Sequence, residues 1–422
     1  MSVVSLVVAM LATFLPAWCC LNRLVPLDLP SRHYLIAGYS GILGMLMITL
    51  IMRVFSLAGL SISLYSVAAV ALALLIAAKY IPQNGKSGSI HAHSYGSPLI
   101  NKAQKLLILI CLALIASRLI AIGLEAYTRP VWAWDAKQHW TRQARVFFEM
   151  RSVIPYVSLE EWLKLEGRGV YTNMHPEYPI ATPLLQAWTG IALGYWHSSL
   201  VSLFWPIIWL SLGLVFFGQA RVAGTNLPVA VAATYMLLSM PLLNIHAALA
   251  GYADLLMATC YLGAVAAFYN WSQTRALWQL LLAMVTGACC LVIKNEGFYW
   301  FISLMPGILL VVVGLRRGLA FLAASALLLL LVVYLLPPDL SIAGHSLESL
   351  AISYRPESWR PIFLSTLIHD NWHLLVYLFV PALLVLPFCA RRQIPLAAVI
   401  LSALALYMAL YLLTSHAAGA VR

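Results

Sequence analysis

Apolar runs of about 20 residues, long enough to cross a hydrocarbon core as helices, recur along this chain between short polar breaks. Residues 2–22, 34–52, 60–81, 105–126, 198–219, 227–244, 254–271, 276–293, 297–315, 319–336, 373–390 and 395–414 each read as one such run. Hydrocarbon offers no partner to loose backbone N–H and C=O groups, so each run predicts a helix. A transmembrane barrel would need alternating segments of about 10 residues, and unbroken runs such as Leu319–Leu336 exclude it. The expected fold class is an all-α polytopic membrane protein with about 12 transmembrane helices. Two long polar loops stand out, 127–178 and 337–372, and the Gly-, Ser- and His-rich stretch 82–104 reads as a flexible linker. Three regions follow: 1–104, three spans and the linker; 105–336, a transmembrane core with the first long loop; and 337–422, the second loop and the last two spans.

Segment 180–194 is apolar but short and begins among Pro176, Pro179 and Pro183. If it crossed the membrane, every later loop would change sides. The basic loops decide the matter. Arg23 and Arg32, then Lys86, Lys102 and Lys105, then Arg221, Arg275, Arg316–Arg317 and Arg391–Arg392 share one side if 180–194 is an interfacial helix lying flat on the surface. Arg53 is the exception among the short loops. The basic side is the cytoplasm by the positive-inside rule, so both long loops face outward. The turns at His246–Asp254 and Lys294–Gly297 face outward with them.

Composition agrees with this picture: charged residues make up 9% and hydrophobic ones 63%, and the mean hydropathy is +0.89. The net charge of +11 lies mostly in short loops that meet anionic headgroups, so it points to membrane lipid and not to nucleic acid. The seven cysteines fall in or beside apolar runs with no metal-ligand spacing, which predicts buried thiols without a disulfide framework. No metal site and no cofactor is expected. The first run lacks a basic start and reads as a retained span.

Charge is so scarce that its clusters carry the chemistry. In Trp132–Phe148, Asp135, His139, Arg142 and Arg145 lie within about three helical turns, among tryptophans. As a helix this segment places Ala136, Trp140, Ala144 and Phe147 on one stripe and Asp135, His139 and Arg142 on another face. The plainer role for Asp135 is a helix cap. Further along the loop, Arg151, Lys164 and Arg168 have Glu149, Glu160, Glu161 and Glu166 as possible partners. His175 and Glu177 flank Pro176 in a stiff extended tip, where a turn bonded to its own backbone is the alternative. Asp254 opens one span, and Lys294 and Glu296 sit in the turn that closes the next. Lysine and glutamate at membrane depth are paired or functional. The short connection 272–275 makes these two helices neighbours and lets Lys294 reach Asp254. In the second loop, Arg355 and Arg360 flank Trp359 and suit a lipid phosphate or a headgroup anchor.

Trp134-Asp-Ala136, Ala144-Arg-x-Phe-Phe148, His175-Pro-Glu-Tyr-Pro179, Gly251-Tyr-Ala-Asp254 and Lys294-Asn-Glu-Gly297 occur in this order. Together they resemble the bacterial integral-membrane glycosyltransferases of the GT-C fold, related to the protein O-mannosyltransferase and aminoarabinose transferase family. The resemblance covers about 105–315. It implies a GT-C-like fold in a bacterial inner membrane and a polyprenyl-phosphate sugar donor used at the outer face. It implies Asp135 as the catalytic acidic residue, with His175, Asp254 and Lys294 at the family's other motif positions. A departure is Ala136, where the protein O-mannosyltransferases have a paired acidic residue; the acceptor (lipid, glycan or protein) stays open.

The resulting expectation is a transferase with Asp135 as general base and His139, Arg142, His175, Glu177, Asp254, Lys294, Glu296, Arg355 and Arg360 as substrate-binding residues. Displacement by one acceptor oxygen inverts the sugar carbon. A secondary transporter is a rival, but its charges should lie mid-span, where this chain has chiefly Arg118. An O-antigen-type polymerase or ligase is another, partly matched by loop 337–372.

Overall fold

The computed structural model describes residues 2–85, 100–335, 341–342, 345–346, 354–369, 371–372, 375–389 and 391–413. The first half of the second long loop, apart from 341–342 and 345–346, and the centre of the 82–104 linker lie outside these residues. Helices occur at each predicted run: α1 (Ser2–Leu24), α2 (Arg32–Leu57), α3 (Leu64–Ala78), α4 (Lys102–Thr128), α5 (Arg142–Met150), α6 (Leu159–Lys164), α7 (Ala181–Leu193), α8 (Phe204–Val222), α9 (Leu227–Leu238), α10 (Pro241–Ala248), α11 (Asp254–Thr274), α12 (Leu277–Leu291), α13 (Gly297–Val313), α14 (Leu315–Leu335), α15 (Trp359–Phe363), α16 (Leu375–Cys389) and α17 (Ile394–Leu413). Among the described residues, sheet is confined to two-residue pairs: Tyr156–Val157 runs parallel to Tyr171–Thr172, and Ser341–Ile342 antiparallel to His345–Ser346.

By length and composition, five helical stretches among the described residues are long and apolar enough to cross a membrane: Val3–Leu24, Arg32–Leu57, Lys102–Thr128, Leu200–Val222 and Ile394–Leu412. The expected single span 227–244 is instead two helices, α9 and α10, bent by 61°. Pro241 explains the break, since its ring clashes with the preceding turn and it has no N–H to donate. Counted as one, this pair is a sixth crossing, and α3, α12, α13 and part of α16 are shorter apolar helices. The chain is a helical membrane protein.

Two compact units divide it. The first holds residues 1–239, 243–270 and 276–297; the second holds 240–242, 271–275 and 298–422. In the first unit α2 packs between α1 and α8, α4 lies on α8 and α9, and α5 on α7. Small residues make the α2 contacts close. A Cβ at Gly41 would meet Ser211 Oγ at 2.0 Å, and one at Gly44 would meet the Thr13 carbonyl oxygen at 2.1 Å. Lipid tails are as apolar as leucine, so tight van der Waals contact of this kind drives helix association. A polar knot adds direction: Gln219 Nε2 donates to Tyr39 Oη (2.8 Å) and Gln279 Oε1 (2.9 Å), Gln279 Nε2 donates back (3.0 Å), and Asn270 Nδ2 donates to Gln219 Oε1 (2.6 Å). It ties α2, α8, α11 and α12 where unmade hydrogen bonds would be costly. In the second unit, Arg355 N donates to the Leu412 carbonyl (2.8 Å), fixing the segment before α15 to α17.

The expected interfacial helix is corrected. Every residue of α7 is buried, including Thr182, Gln186 and Thr189. A surface helix needs a wet face, and α7 has none. It packs on α1, α2 and α5, and Trp188 Nε1 donates to Thr13 Oγ1 (3.1 Å) halfway along α1. Yet the chain enters and leaves α7 at one end of the unit. Before it, His175 packs on His139 at 5.0 Å between ring centroids. After it, the Ser198 carbonyl accepts from Val131 N at 3.0 Å. Both flanks of α7 thus meet the 131–139 segment, and the helix between them is sheltered by protein on every side.

Candidate functional site

The site is built on the loop between α4 and α7. Residues Ala136–Thr141 form a π-helical turn that runs into α5. Ala136, Trp140, Ala144 and Phe147 are all buried, as their stripe predicted. The wide turn changes the rest of the register, and such π turns gather at functional sites. His139, expected on the polar face beside Asp135, is turned inward and is 6% exposed. Rings surround it: Trp134 at 5.8 Å, Trp140 at 6.1 Å, His175 at 5.0 Å and Tyr178 at 6.2 Å. Its Nδ1 is buried with no hydrogen-bond partner among the described residues.

Asp135 is exposed and makes no side-chain cap. No hydrogen bond or ion pair engages its carboxylate among the described residues, which leaves both oxygens free. The His-Pro-Glu-Tyr tip folds over this surface. His175 N donates to Asn173 Oδ1 (3.0 Å), and the His175 Nδ1 to Glu177 Oε1 distance is 3.1 Å. The imidazole therefore bonds to the glutamate rather than to the backbone. Tyr178 stacks on Trp140 at 6.0 Å.

The third part comes from the helix ends. Lys294 Nζ lies 2.9 Å from Asp254 Oδ1 and 3.5 Å from Glu296 Oε1. The pairing anticipated from the short α11–α12 link is present. Gly297 makes this turn possible: a Cβ there would lie 1.9 Å from the Cys290 carbonyl oxygen, so the chain can double back this tightly only with glycine. Tyr252 bridges the parts. Its ring lies 6.3 Å from Trp140 and 5.3 Å from His246, and its carbonyl accepts from Trp205 Nε1 (3.0 Å).

Electrostatics join these parts into one site. Burial raises the Tyr252 phenol, the charges of Asp135 and Asp254 raise it further, and Lys294 opposes them. Burial and Glu296 push Tyr178 up to about 12, with smaller effects from Glu177 and Asp135 against the pull of Lys294. Both phenols are therefore fixed as neutral donors. Burial and the neighbouring His175 lower His139, more than Asp135 and Glu177 raise it, and it is held neutral. Burial alone would lower Lys294, but Asp254 and Glu296 reverse this and hold it charged. Lys294 is thus held between Asp254 and Glu296, and an anion that meets it competes with these two carboxylates.

The remaining expected site residues are placed differently. Arg142 is exposed and donates from Nη1 to Gln138 Oε1 (2.9 Å). Arg355 and Arg360 belong to the second unit, Arg360 exposed and Arg355 half-buried. Two loop cations do pair locally, Lys164 with Glu160 and Arg168 with Glu166, each at 2.6 Å, while Arg151 lies over the Phe148 ring at 4.6 Å. Tyr178, Tyr252, His246 and Trp140 join the site without having been singled out as site residues; Tyr178 and Trp140 directly follow the motif residues Glu177 and His139, while Tyr252 and His246 carry no such mark. No group of three or more His, Cys, Asp or Glu side chains among the described residues could hold a metal ion. No protein-family model matches the chain, and no curated protein or solved structure matches it.

Proposed function

We propose that this protein is a membrane glycosyltransferase that moves a sugar from a polyprenyl-phosphate donor to an acceptor hydroxyl, at the outer face of a bacterial inner membrane. The observation that carries the reading is a free carboxylate, Asp135, in one electrostatic cluster with a charged lysine and two neutral phenols. Transfer needs a base within about 3 Å of the acceptor proton and a positive group where the phosphate departs. Asp135 takes the proton of the acceptor hydroxyl. The acceptor oxygen bonds to the anomeric carbon as the bond from that carbon to the phosphate oxygen breaks. The polyprenyl phosphate leaves with the electron pair and meets Lys294, which exchanges Asp254 for a phosphate oxygen. A single displacement inverts the sugar carbon. Tyr178, Tyr252 and Trp140 offer the donors and flat faces that a sugar ring requires. The five ordered motifs of the GT-C resemblance support the same reading, and the apolar runs along the chain support about 12 crossings.

The decisive variant is Asp135→Asn. Asp135 is exposed and caps nothing, so the fold and thermal stability should be unchanged. Transfer from a polyprenyl-phosphate sugar to added acceptor should fall by roughly 100- to 10,000-fold, the usual worth of a general base. Turnover within a few-fold of the parent protein would remove Asp135 from the chemistry.

A further inference from the structure

Arg53 is the one short-loop cation on the outward side of the positive-inside pattern, and the transfer chemistry does not use it. It sits four residues before the end of α2, about 6 Å along the axis. Its Nε and Nη2 are shielded from solvent and have no hydrogen-bond partner among the described residues. A guanidinium near membrane depth without an anion is costly, and it is too basic to shed its proton.

Arg53 closes one end of a cavity of about 430 Å³ between α1, α2 and α12, a size typical of ligand pockets, about 300–1,000 Å³. The cavity runs past Leu46, Leu50, Leu281 and Val285 to Leu24 and Trp278 at the opposite end of the helices, and among the described residues Arg53 is the sole charged one lining it. Leu50, Leu281 and Val285 are exposed, so the cavity opens outward along its length as a groove.

We infer that this groove binds an anionic phospholipid of the surrounding bilayer, with its phosphate on the Arg53 guanidinium and one acyl chain along α1, α2 and α12. The charge argument selects the head. A planar guanidinium matches phosphate oxygens through two parallel N–H bonds, and the unpartnered Nε and Nη2 are the pair that forms such a fork. The apolar lining selects a lipid over a free anion. The depth of Arg53, one turn inside the helix end, is where a phosphate headgroup meets hydrocarbon. This inference stands apart from the transfer reaction, because its test reads lipid retention and not turnover.

The test uses the full chain purified in detergent and stripped of lipid. Phosphatidylglycerol, phosphatidylcholine, a polyprenyl monophosphate and inorganic phosphate are added separately, with adducts read by native mass spectrometry and melting by thermal scan. Phosphatidylglycerol should be retained at least tenfold better than phosphatidylcholine and should raise the melting temperature, because it binds the folded state. Arg53→Leu should cut that retention at least tenfold. It should melt no lower than the parent protein in lipid-free detergent, since it removes a guanidinium whose shielded Nε and Nη2 have no partner among the described residues, and should gain nothing from added lipid. Leu50→Trp, which fills the groove but keeps the guanidinium, should also weaken retention. Equal retention of the two phospholipids, or a lower lipid-free melting temperature for Arg53→Leu, overturns the inference. So does retention of polyprenyl monophosphate without phosphatidylglycerol, which makes the groove a donor site. Full competition by inorganic phosphate overturns it too, and leaves a simple anion site.

Discussion

His139 is held neutral by burial and by His175, and this makes acid a structural stress. Its folded-state value lies below the ordinary 6.5, so the unfolded chain binds a proton first. The stability it contributes is complete above pH 6.5 and is lost as pH falls below that toward the lowered value. Melting of the parent protein should therefore drop between pH 7.5 and pH 5.5, and His139→Gln should remove part of the drop while lowering transfer. An identical pH slope in the variant would show that His139 is not the acid-sensitive group. At this scale the sequence was most informative about charged residues. Asp135, His175, Glu177, Asp254, Lys294 and Glu296 were conspicuous because the chain has so few charges. Orientation was harder to see. A π turn between Ala136 and Thr141 swings His139 inward, and no helical-wheel argument with a fixed period contains that step. The two tyrosines were hidden for another reason: nothing in their local pattern separates a site phenol from one packed in an ordinary aromatic cluster.

Among the elements, helix ends rather than helix faces build the site. Asp254 begins α11 and Lys294 follows α12, and the short link between these helices brings the two side chains to 2.9 Å. That contact was legible because loop length constrains neighbours. The proposed phosphate role makes Lys294→Met lose donor binding at least tenfold in a protein that still folds, with little rescue by Lys294→Arg if a compact ammonium is needed. Unchanged affinity for a polyprenyl-phosphate sugar, with a lower melting temperature, would leave Lys294 as a purely structural partner of Asp254. Gly297→Ala tests the turn itself. Its Cβ would lie 1.9 Å from a backbone oxygen that cannot rotate away, so overpacking should destabilise the protein by about 1–3 kcal/mol, read as a lower melting temperature. The helices expected from apolar runs are present, but two were misjudged. Pro241 marked the α9–α10 break, yet the unbroken hydrophobicity around it read as one span. For α7, the basic loops bear only on which side its flanks lie, and charge counting says nothing about depth. The thirteen-residue helix carries no charge, so nothing kept it at the surface.

For the whole molecule, the consequence of α7 is topological. If α7 crossed the membrane, the residues before and after it would face opposite sides, and the basic loops from Arg221 onward would separate from Arg23 and Arg32. The contacts His139–His175 and Val131–Ser198 put both flanks of α7 at one end of the first unit. The positive-inside rule makes that end the outward one in the proposed topology, with Asp135 and Lys294 on the same side. Single cysteines in a cysteine-free background test this at exposed positions: Leu60 between α2 and α3, Met174 before α7, Tyr195 after it, and Ala223 after α8. An impermeant thiol reagent added to intact cells, or to cells with only the outer membrane opened, should label Leu60→Cys, Met174→Cys and Tyr195→Cys. Ala223→Cys should label only after the inner membrane is permeabilised. Labelling of Met174→Cys without Tyr195→Cys would make α7 a crossing helix. Labelling of Ala223→Cys alone would invert the molecule, move the proposed site to the cytoplasm and exclude a donor used at the outer face. The same experiment bears on Arg53, whose exception to the charge rule is real only if Leu60, seven residues further on, faces outward.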